Sequence, residues 1–340
     1  MTTYYLLRRL ALSIISFLGV LVITFMLSYV VPGDPAVLAA GRVPDRKVVE
    51  RIRKEMGLDK PVYVQFIMYL ERLFLRQDLG KSVVTKRPVV QDLKIYFPAT
   101  FELVTLCLIL ITIFGVWAGV VSAVRRNSAL DHTIRAISLS GISMPEFWLA
   151  MMLQLIVIQV IRGFPIDGRV SIDVIVHHPL RQITGFYLLD SLVQQNWLFL
   201  KSALLHLILP VSTLTFALVA YVVRITRAAM LEILNLDYIQ TARATGISSF
   251  KVVYKYALRN ALIPVLTIIG MVYGFLLRGT VLTELIFSWP GIGRYAVNAI
   301  FSLDFPAIMG VAILGASMII LLNLIVDVLC AFVNPTVRYR

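Results

Sequence analysis

Long apolar blocks, unbroken by runs of charge, constrain this chain more than any other feature. Six of them, Leu10–Val31, Ala99–Val124, Ile134–Ile161, Leu204–Arg227, Leu262–Leu282 and Pro306–Val333, have the length of a membrane crossing. A helix needs about 20 mostly apolar residues to span the hydrocarbon layer. Backbone placed in lipid must satisfy its own hydrogen bonds, so only helices and closed barrels cross. Barrel strands would read as alternating segments of about ten residues, and the blocks do not alternate. The expected fold class is therefore an all-α polytopic membrane protein with six transmembrane helices. Only 15% of the residues are charged, against about 25% in soluble domains.

The first block follows Arg8 and Arg9. It is longer than the 7–15 apolar residues, roughly, of a secretory signal, so it reads as an uncleaved first helix. The formal net charge of +13 would suggest nucleic acid in a soluble chain. In a membrane chain, Lys and Arg in short loops instead orient the helices. No nucleic-acid partner is expected, and lipid is. Arg8 and Arg9, then Arg125, Arg126 and Arg135, then Arg227, Arg243, Lys251, Lys255 and Arg259, then Arg338 and Arg340 all fall on one side of a six-span chain. Both termini are expected in the cytoplasm, in a multi-pass cell (inner or plasma) membrane location.

This orientation divides the chain into a first helix at 1–32, an external segment at 33–97 and a five-helix core at 98–340. Gly33 to Phe97 is basic, but loops beyond about 60 residues translocate regardless of charge. Within it, Asp45 to Met56 reads as a short polar helix stopped by Gly57 and Asp59-Lys60-Pro61. Tyr63 to Leu75 reads as an amphipathic helix, lying on the membrane surface or packed on other external loops. Gly163 to Ser202 and Thr283 to Phe305 form the remaining external segments.

Enzymatic and metal signatures are missing from the sequence. Gly80-Lys81-Ser82 imitates a phosphate-binding loop, but Leu75 stands where its first glycine belongs. Any ATPase motor must be another chain. His177 and His178 are adjacent, poorly placed to share an ion, and read as solvated; His132 and His206 read as satisfied residues near helix ends. Cys107 and Cys330 lie in apolar runs and read as small hydrophobes. No metal is expected. Gly115-x-x-x-Gly119 and Gly270-x-x-x-Gly274 permit close helix packing. Asp327, four residues after Asn323 on the last span, is either an acid with a transport role or a cap near the helix end.

The connection between the fourth and fifth spans is the most informative. Asp237-Tyr238-Ile239-Gln240-Thr241-Ala242-Arg243-Ala244-Thr245-Gly246 reads as a slim helix closed by glycine, followed by Phe250 and a basic amphipathic run to Asn260. Thr241, Ala242 and Ala244 leave little bulk, so such a helix fits a groove on a partner. An ordinary connector would read similarly.

This connection, 237–264, resembles the EAA loop of ABC importer permeases in the form found in the dipeptide/oligopeptide permease family. The likeness extends along the chain: Pro32-Gly33-Asp34-Pro35, Leu58-Asp59-Lys60-Pro61, Asp78-Leu79-Gly80-Lys81-Ser82, Pro98-Ala99-Thr100, Ile183-Thr184-Gly185-Phe186-Tyr187-Leu188-Leu189-Asp190, His206-Leu207-Ile208-Leu209-Pro210, Ala257 to Pro264, Glu284 to Arg294, and Asn334-Pro335. It departs at Gln240, where the family has Glu, at Thr245, where the branch has Lys, and at Arg278-Gly279-Thr280. The resemblance implies a type I importer permease fold and a non-catalytic subunit without a bound cofactor. It implies a sister permease, two cytoplasmic ATPase subunits carrying ATP and Mg, an external substrate-binding protein and a peptide cargo. It assigns Asp237, Tyr238, Gln240, Thr241, Ala242, Arg243, Ala244, Gly246 and Phe250 to ATPase coupling. Phe287, Trp289, Pro290, Gly291, Gly293 and Arg294 would shape the outer mouth or a docking surface, with Trp289 as a rigid anchor. Relatives of this kind carry nickel chelates, glutathione or oligosaccharides as well; an ion-coupled secondary transporter is the reading from another class, and Asp327 is its only fair acid.

Single cysteines at Ser249 and Thr85, treated with an impermeant maleimide in intact cells, test the orientation. Labelling of the Thr85 site alone is expected; labelling of the Ser249 site alone would invert it.

Overall fold

The computed structural model describes residues 3–30, 45–57 and 59–333. The motifs at Pro32–Pro35 and Asn334-Pro335, residue Leu58, and the side chains of Arg278, Gly279, Asp327 and Cys330 lie outside what is described. Among the described residues all regular structure is helical, apart from one isolated bridge between Lys81 and Pro88. In chain order the helices are α1 (Thr3–Val30), α2 (Arg46–Met56), α3 (Val62–Leu75), α4 (Val89–Val124), α5 (Ala129–Ser143), α6 (Glu146–Val160), α7 (Ile172–His177), α8 (Tyr187–Val193), α9 (Trp197–Leu234), α10 (Asp237–Ala244), α11 (Leu258–Ile286), α12 (Ile292–Phe301) and α13 (Phe305–Val333). A turn of helix at Ser249–Lys251 and a π-helical stretch at Val252–Ala257 run directly into α11.

Among the described residues, five stretches are long and apolar enough to cross a membrane, and α5 with α6 makes a sixth if the bent pair is one span. The third candidate span, Ile134–Ile161, is thus two helices where one was expected. It breaks at Met144-Pro145 and the two halves meet at 105°. Proline disfavours helical backbone in the residue before it, and Met144 is extended at φ −89°, ψ 131°. The second, fourth and fifth helices also run further than their apolar blocks, because polar turns at their ends keep helical pairing. Thr283 to Phe305, expected as a short external segment, contains the end of α11 and the whole of α12.

The chain forms two compact units, one around residues 97–294 and one around residues 7–96 with 295–321. In the second unit, Asp45 caps α2 by accepting from Lys47 N, and Gly57 closes it with φ +70°, as the local sequence predicts. Helix α3 packs on α1 through aromatic rings: Phe25 meets Phe66 at 5.1 Å and Tyr69 at 5.6 Å. The phosphate-loop imitation at Gly80-Lys81-Ser82 has a structural use. Asp78 accepts from Gly80 N, and Ser82 Oγ donates to buried Asp304 at 2.5 Å. Asp92, also buried, accepts from Thr85 Oγ1 and Tyr295 Oη and pairs with Arg87. Burial, with Asp92 and Asp304 nearby, pushes the Tyr295 hydroxyl well above its ordinary pKa.

The first unit is a bundle of α4, α9 and α11, with α5 and α6 packed against it. Its core joins Leu103, Cys107 and Ile111 of α4, Leu207 and Leu214 of α9, and Val272 and Leu276 of α11. Cys107 is a buried free thiol in that core. Glycines set the helix spacing. A Cβ on Gly115 would stand 2.7 Å from Val222 Cβ, and one on Gly119 would stand 2.5 Å from Thr226 Cβ. The first GxxxG therefore packs α4 on α9 within the chain. A Cβ on Gly274 would meet no heavy atom within 4 Å, so among the described residues the expected steric need for glycine on the Gly270/Gly274 face is not seen at Gly274. Gly141, outside any GxxxG spacing, holds the tightest approach: its Cβ would stand 2.1 Å from Phe216 O.

Gly119→Ala should thus separate α4 from α9 and cost about 1–3 kcal/mol, the range for overpacking a core. The measurement is yield and melting temperature in detergent, beside Gly315→Ala. A Cβ at Gly315 meets nothing, and alanine there should be neutral or stabilising. Equal melting of the two variants would contradict the packing.

Candidate functional site

The segment after α9 builds one candidate site. Helix α9 stops at Leu234, and Leu236 O then accepts from Ile239 N and Gln240 N to start α10. Thr241 Oγ1 donates back to Asp237 O and Thr245 Oγ1 to Thr241 O. The C-terminal end is a Schellman closure: Gly246 N donates to Arg243 O and Ile247 N to Ala242 O, with Gly246 at φ +79°. That left-handed backbone is the reason for glycine here; a Cβ would meet nothing within 4 Å, so space is not the reason.

Ile239 and Ala242 form the buried face of α10. They pack with Val120 and Ala123 of α4, Ala229 and Met230 of α9, and Val252 and Ala257 of the π-helical stretch. Asp237, Tyr238, Gln240, Thr241, Arg243 and Ala244 are exposed. Of the small residues expected to slim the helix for a partner, Ala242 instead lets the chain's own core approach. Tyr238 Oη accepts from Asn260 Nδ2 at 2.9 Å, which pins α10 to the start of α11. Phe250 is 71% exposed, its ring 4.6 Å from that of Tyr254. With Leu236 and Tyr238, these residues make an exposed apolar rim around α10, the kind of patch that marks a protein contact. Leu236, Tyr254 and the π-helical stretch were not legible in the sequence. The alternation of Phe250, Tyr254 and the lysines reads as an ordinary amphipathic helix until its exposed side is known.

Beneath α10, Asp131 at the start of α5 is fully buried. It accepts two bonds from Arg227, at 2.9 and 2.7 Å, and others from Ser122 Oγ and Asn127 N. Arg227, read above as an orienting charge, thus has a bidentate structural partner.

The other end of α11 carries a second buried carboxylate. Glu284 accepts from Thr100 Oγ1 at 2.6 Å, Thr280 Oγ1 at 3.3 Å and Arg294 N at 3.0 Å. Cβ atoms on Gly291 and Gly293 would come within 2.4 and 2.9 Å of it, so both glycines make room for the acid. Trp289 is fully buried and its Nε1 donates to Ala99 O at 2.9 Å. Phe287 is buried beside it in the sequence. The expectation of Trp289 as an interfacial anchor is therefore corrected: it is a core residue of the chain, and only Pro290 and Arg294 of the motif keep partial exposure among its named members. Arg294 donates to Ser288 O.

The stretch Ile183–Asp190 docks at the same end. Buried Arg169 pairs with buried Glu102 at 2.6 Å, donates to Gly185 O and lies 3.6 Å over the Tyr187 ring. Glu102 also accepts from Leu188 N. Asp190 accepts from the backbone of Ile183, Thr184 and Gly185 and from Thr184 Oγ1. Burial pushes its carboxyl upward, but those donors outweigh burial and hold it below the usual range. His206 bonds Ser202 O, as expected of a satisfied histidine, and His178 O accepts from Asn196 Nδ2.

These features define a multi-pass helical membrane protein with a helical loop presented at one end of its bundle. The comparisons give its kinship. Residues 111–339 match the family described as binding-protein-dependent transport system inner membrane component, and residues 1–104 match the N-terminal region of such membrane components. The chain belongs to that family and is a permease subunit of a transport system. It is 46% identical over 321 residues to the probable D,D-dipeptide transport system permease protein DdpB of Escherichia coli (strain K12), covering 94% of this chain and 93% of that one. It is 41% identical over 339 residues to the dipeptide transport system permease protein DppB of the same strain, covering 99% of each. The glutathione transport system permease protein GsiC of Pectobacterium atrosepticum is 39% identical over 336 residues, with 99% of each covered. Among solved structures, the MetNI methionine ABC transporter shares the fold, with a TM-score of 0.52 at 16% identity over 69% of this chain and 93% of that chain.

Glu284→Ala would leave the buried Thr100 and Thr280 hydroxyls and the partly buried Arg294 amide without their acceptor, at a cost on the order of 3 kcal/mol. Glu284→Gln keeps an acceptor and should lose less. Melting temperature in detergent is the measurement; two variants as stable as the native chain would contradict the role given to this acid.

Proposed function

We propose that this permease subunit imports peptides as half of a heteromeric transmembrane pathway, the other half being a sister permease. Two cytoplasmic ATPase subunits drive it, an external binding protein delivers cargo, and ATP and Mg reside on the ATPases with no cofactor on this chain. Both termini and α10 face the cytoplasm, and Gly163–Ser202, the Glu284–Arg294 turn and the segment around α2 and α3 face outward. The peptide cargo is supported by the names of the dipeptide relatives above. In this assembly Pro290 and Arg294 lie where a delivering protein would dock.

One observation carries the coupling role: α10 is clamped inward by Ile239 and Ala242, yet leaves a polar face and an aromatic rim free. A helix so anchored transmits displacement to α4, α9 and α11. A partner shifts the bundle only through unequal affinity for its two states. ATP closure supplies that bias at α10, and the loaded binding protein supplies it at the opposite end.

Gly246→Val should add about 1–2 kcal/mol of local strain and uncouple the transporter: membrane insertion persists, while peptide-stimulated ATPase and uptake fall together. Gly246→Asn, which tolerates left-handed backbone, should be milder, as should Arg243→Ala. Normal uptake by Gly246→Val in a complex of normal stoichiometry would remove α10 as the coupling element.

A further inference from the structure

A cleft of about 180 Å³ opens beside α10. Its apolar wall includes Val124 at the end of α4, Leu231 and Leu234 at the end of α9, and Val253 of the π-helical stretch; its polar groups include Arg126 and Arg243. No carboxylate lines it. Among the described residues neither guanidinium has an acid or a carbonyl partner. Arg243 lies one helical turn after buried Ile239, and residues four apart share a helix face. Its exposed side chain therefore borders the cleft, on the side of α10 away from Asp237, Gln240, Thr241 and Ala244. Arg126 stands two residues beyond the end of α4, so the cleft lies at the ends of two candidate membrane spans, Val89–Val124 and Trp197–Leu234.

Two like charges gathered at an apolar-walled cleft favour an anion that also has an apolar body. Guanidinium forks match phosphate oxygens in paired hydrogen bonds, and basic pockets between membrane helices hold anionic lipid headgroups. We propose that this cleft binds the phosphodiester headgroup of an anionic phospholipid, which ties the membrane surface to α10. The inference rests on the membrane placement of α4 and α9, and neither on the cargo nor on coupling. Its test reads lipid retention and not transport.

The assay is native mass spectrometry of the full permease complex, released from nanodiscs of phosphatidylglycerol mixed with phosphatidylcholine. The native chain should retain phosphatidylglycerol selectively. Arg126→Gln with Arg243→Gln should lower that retention roughly tenfold or more, the scale of losing two basic groups at a lipid surface. The paired Lys variants should keep most of it, and Arg125→Gln, outside the cleft, should keep all of it. Retention unchanged in the double Gln variant, or no preference for phosphatidylglycerol in the native chain, would overturn the site. Displacement of the lipid by inorganic phosphate would assign the cleft to a free anion and also overturn it. Lipid retained by the permease alone but expelled when the ATPases bind would mean that a partner carboxylate fills the cleft, and would equally reject the lipid.

Discussion

A carboxylate sealed from water persists only where donors surround it, and Glu284 imposes that condition on three helices, one of them far away in sequence. Thr100 comes from α4, Thr280 from α11 and the Arg294 amide from α12. Thr100 Oγ1 accepts in turn from Ile292 N, and Trp289 seals the same region through Ala99 O. Pro98-Ala99-Thr100 and Glu284–Arg294, which look like separate motifs in the sequence, are therefore two halves of one structure. Ile183–Asp190 belongs to it too: a Cβ on Gly185 would stand 3.0 Å from Pro98 Cγ, and Arg169 reaches both Glu102 and the Tyr187 ring.

At the other end of the bundle the organising force is apolar. Ile239 and Ala242 are too few to hold a helix of eight residues by themselves, and short isolated helices are marginal in water. The Schellman closure at Gly246, the Tyr238–Asn260 bond and the cluster around Met230 make up the difference. The π-helical stretch between α10 and α11 widens the helix locally. Such bulges recur at functional sites, and here one joins the exposed loop to the helix that ends in the Glu284 structure. A continuous helical path thus links the two ends of the unit.

The broken span at Met144-Pro145 and the Gly141 approach show another economy of the bundle. Helix α5 lies so close to α9 that the Phe216 carbonyl leaves no space for a side chain at Gly141. The direction change at Pro145 then sends α6 along a different line. Hydropathy cannot register such a bend, because both halves are equally apolar.

Apolar length determined the class of this chain by itself: backbone groups in lipid must pair internally, so long apolar blocks specify helices whatever surrounds them. Local chemistry likewise determined the ends of α2, through Asp45 and Gly57, and the closure of α10 at Gly246, because caps act within a turn of their own residue. Tertiary structure alone decided which faces meet. Of two similar GxxxG pairs, Gly115/Gly119 meets Val222 and Thr226 of a facing helix, whereas a Cβ at Gly274 has open space among the described residues, and Trp289, an anchor by type, is a core residue by location. Glu284 opens a motif of the resemblance, but its role as a buried acceptor was not legible, because it depends on donors up to 184 positions away. Spacing along a chain records neighbours within a few turns; hydrogen bonds and close packing between distant segments depend on where the whole fold puts them.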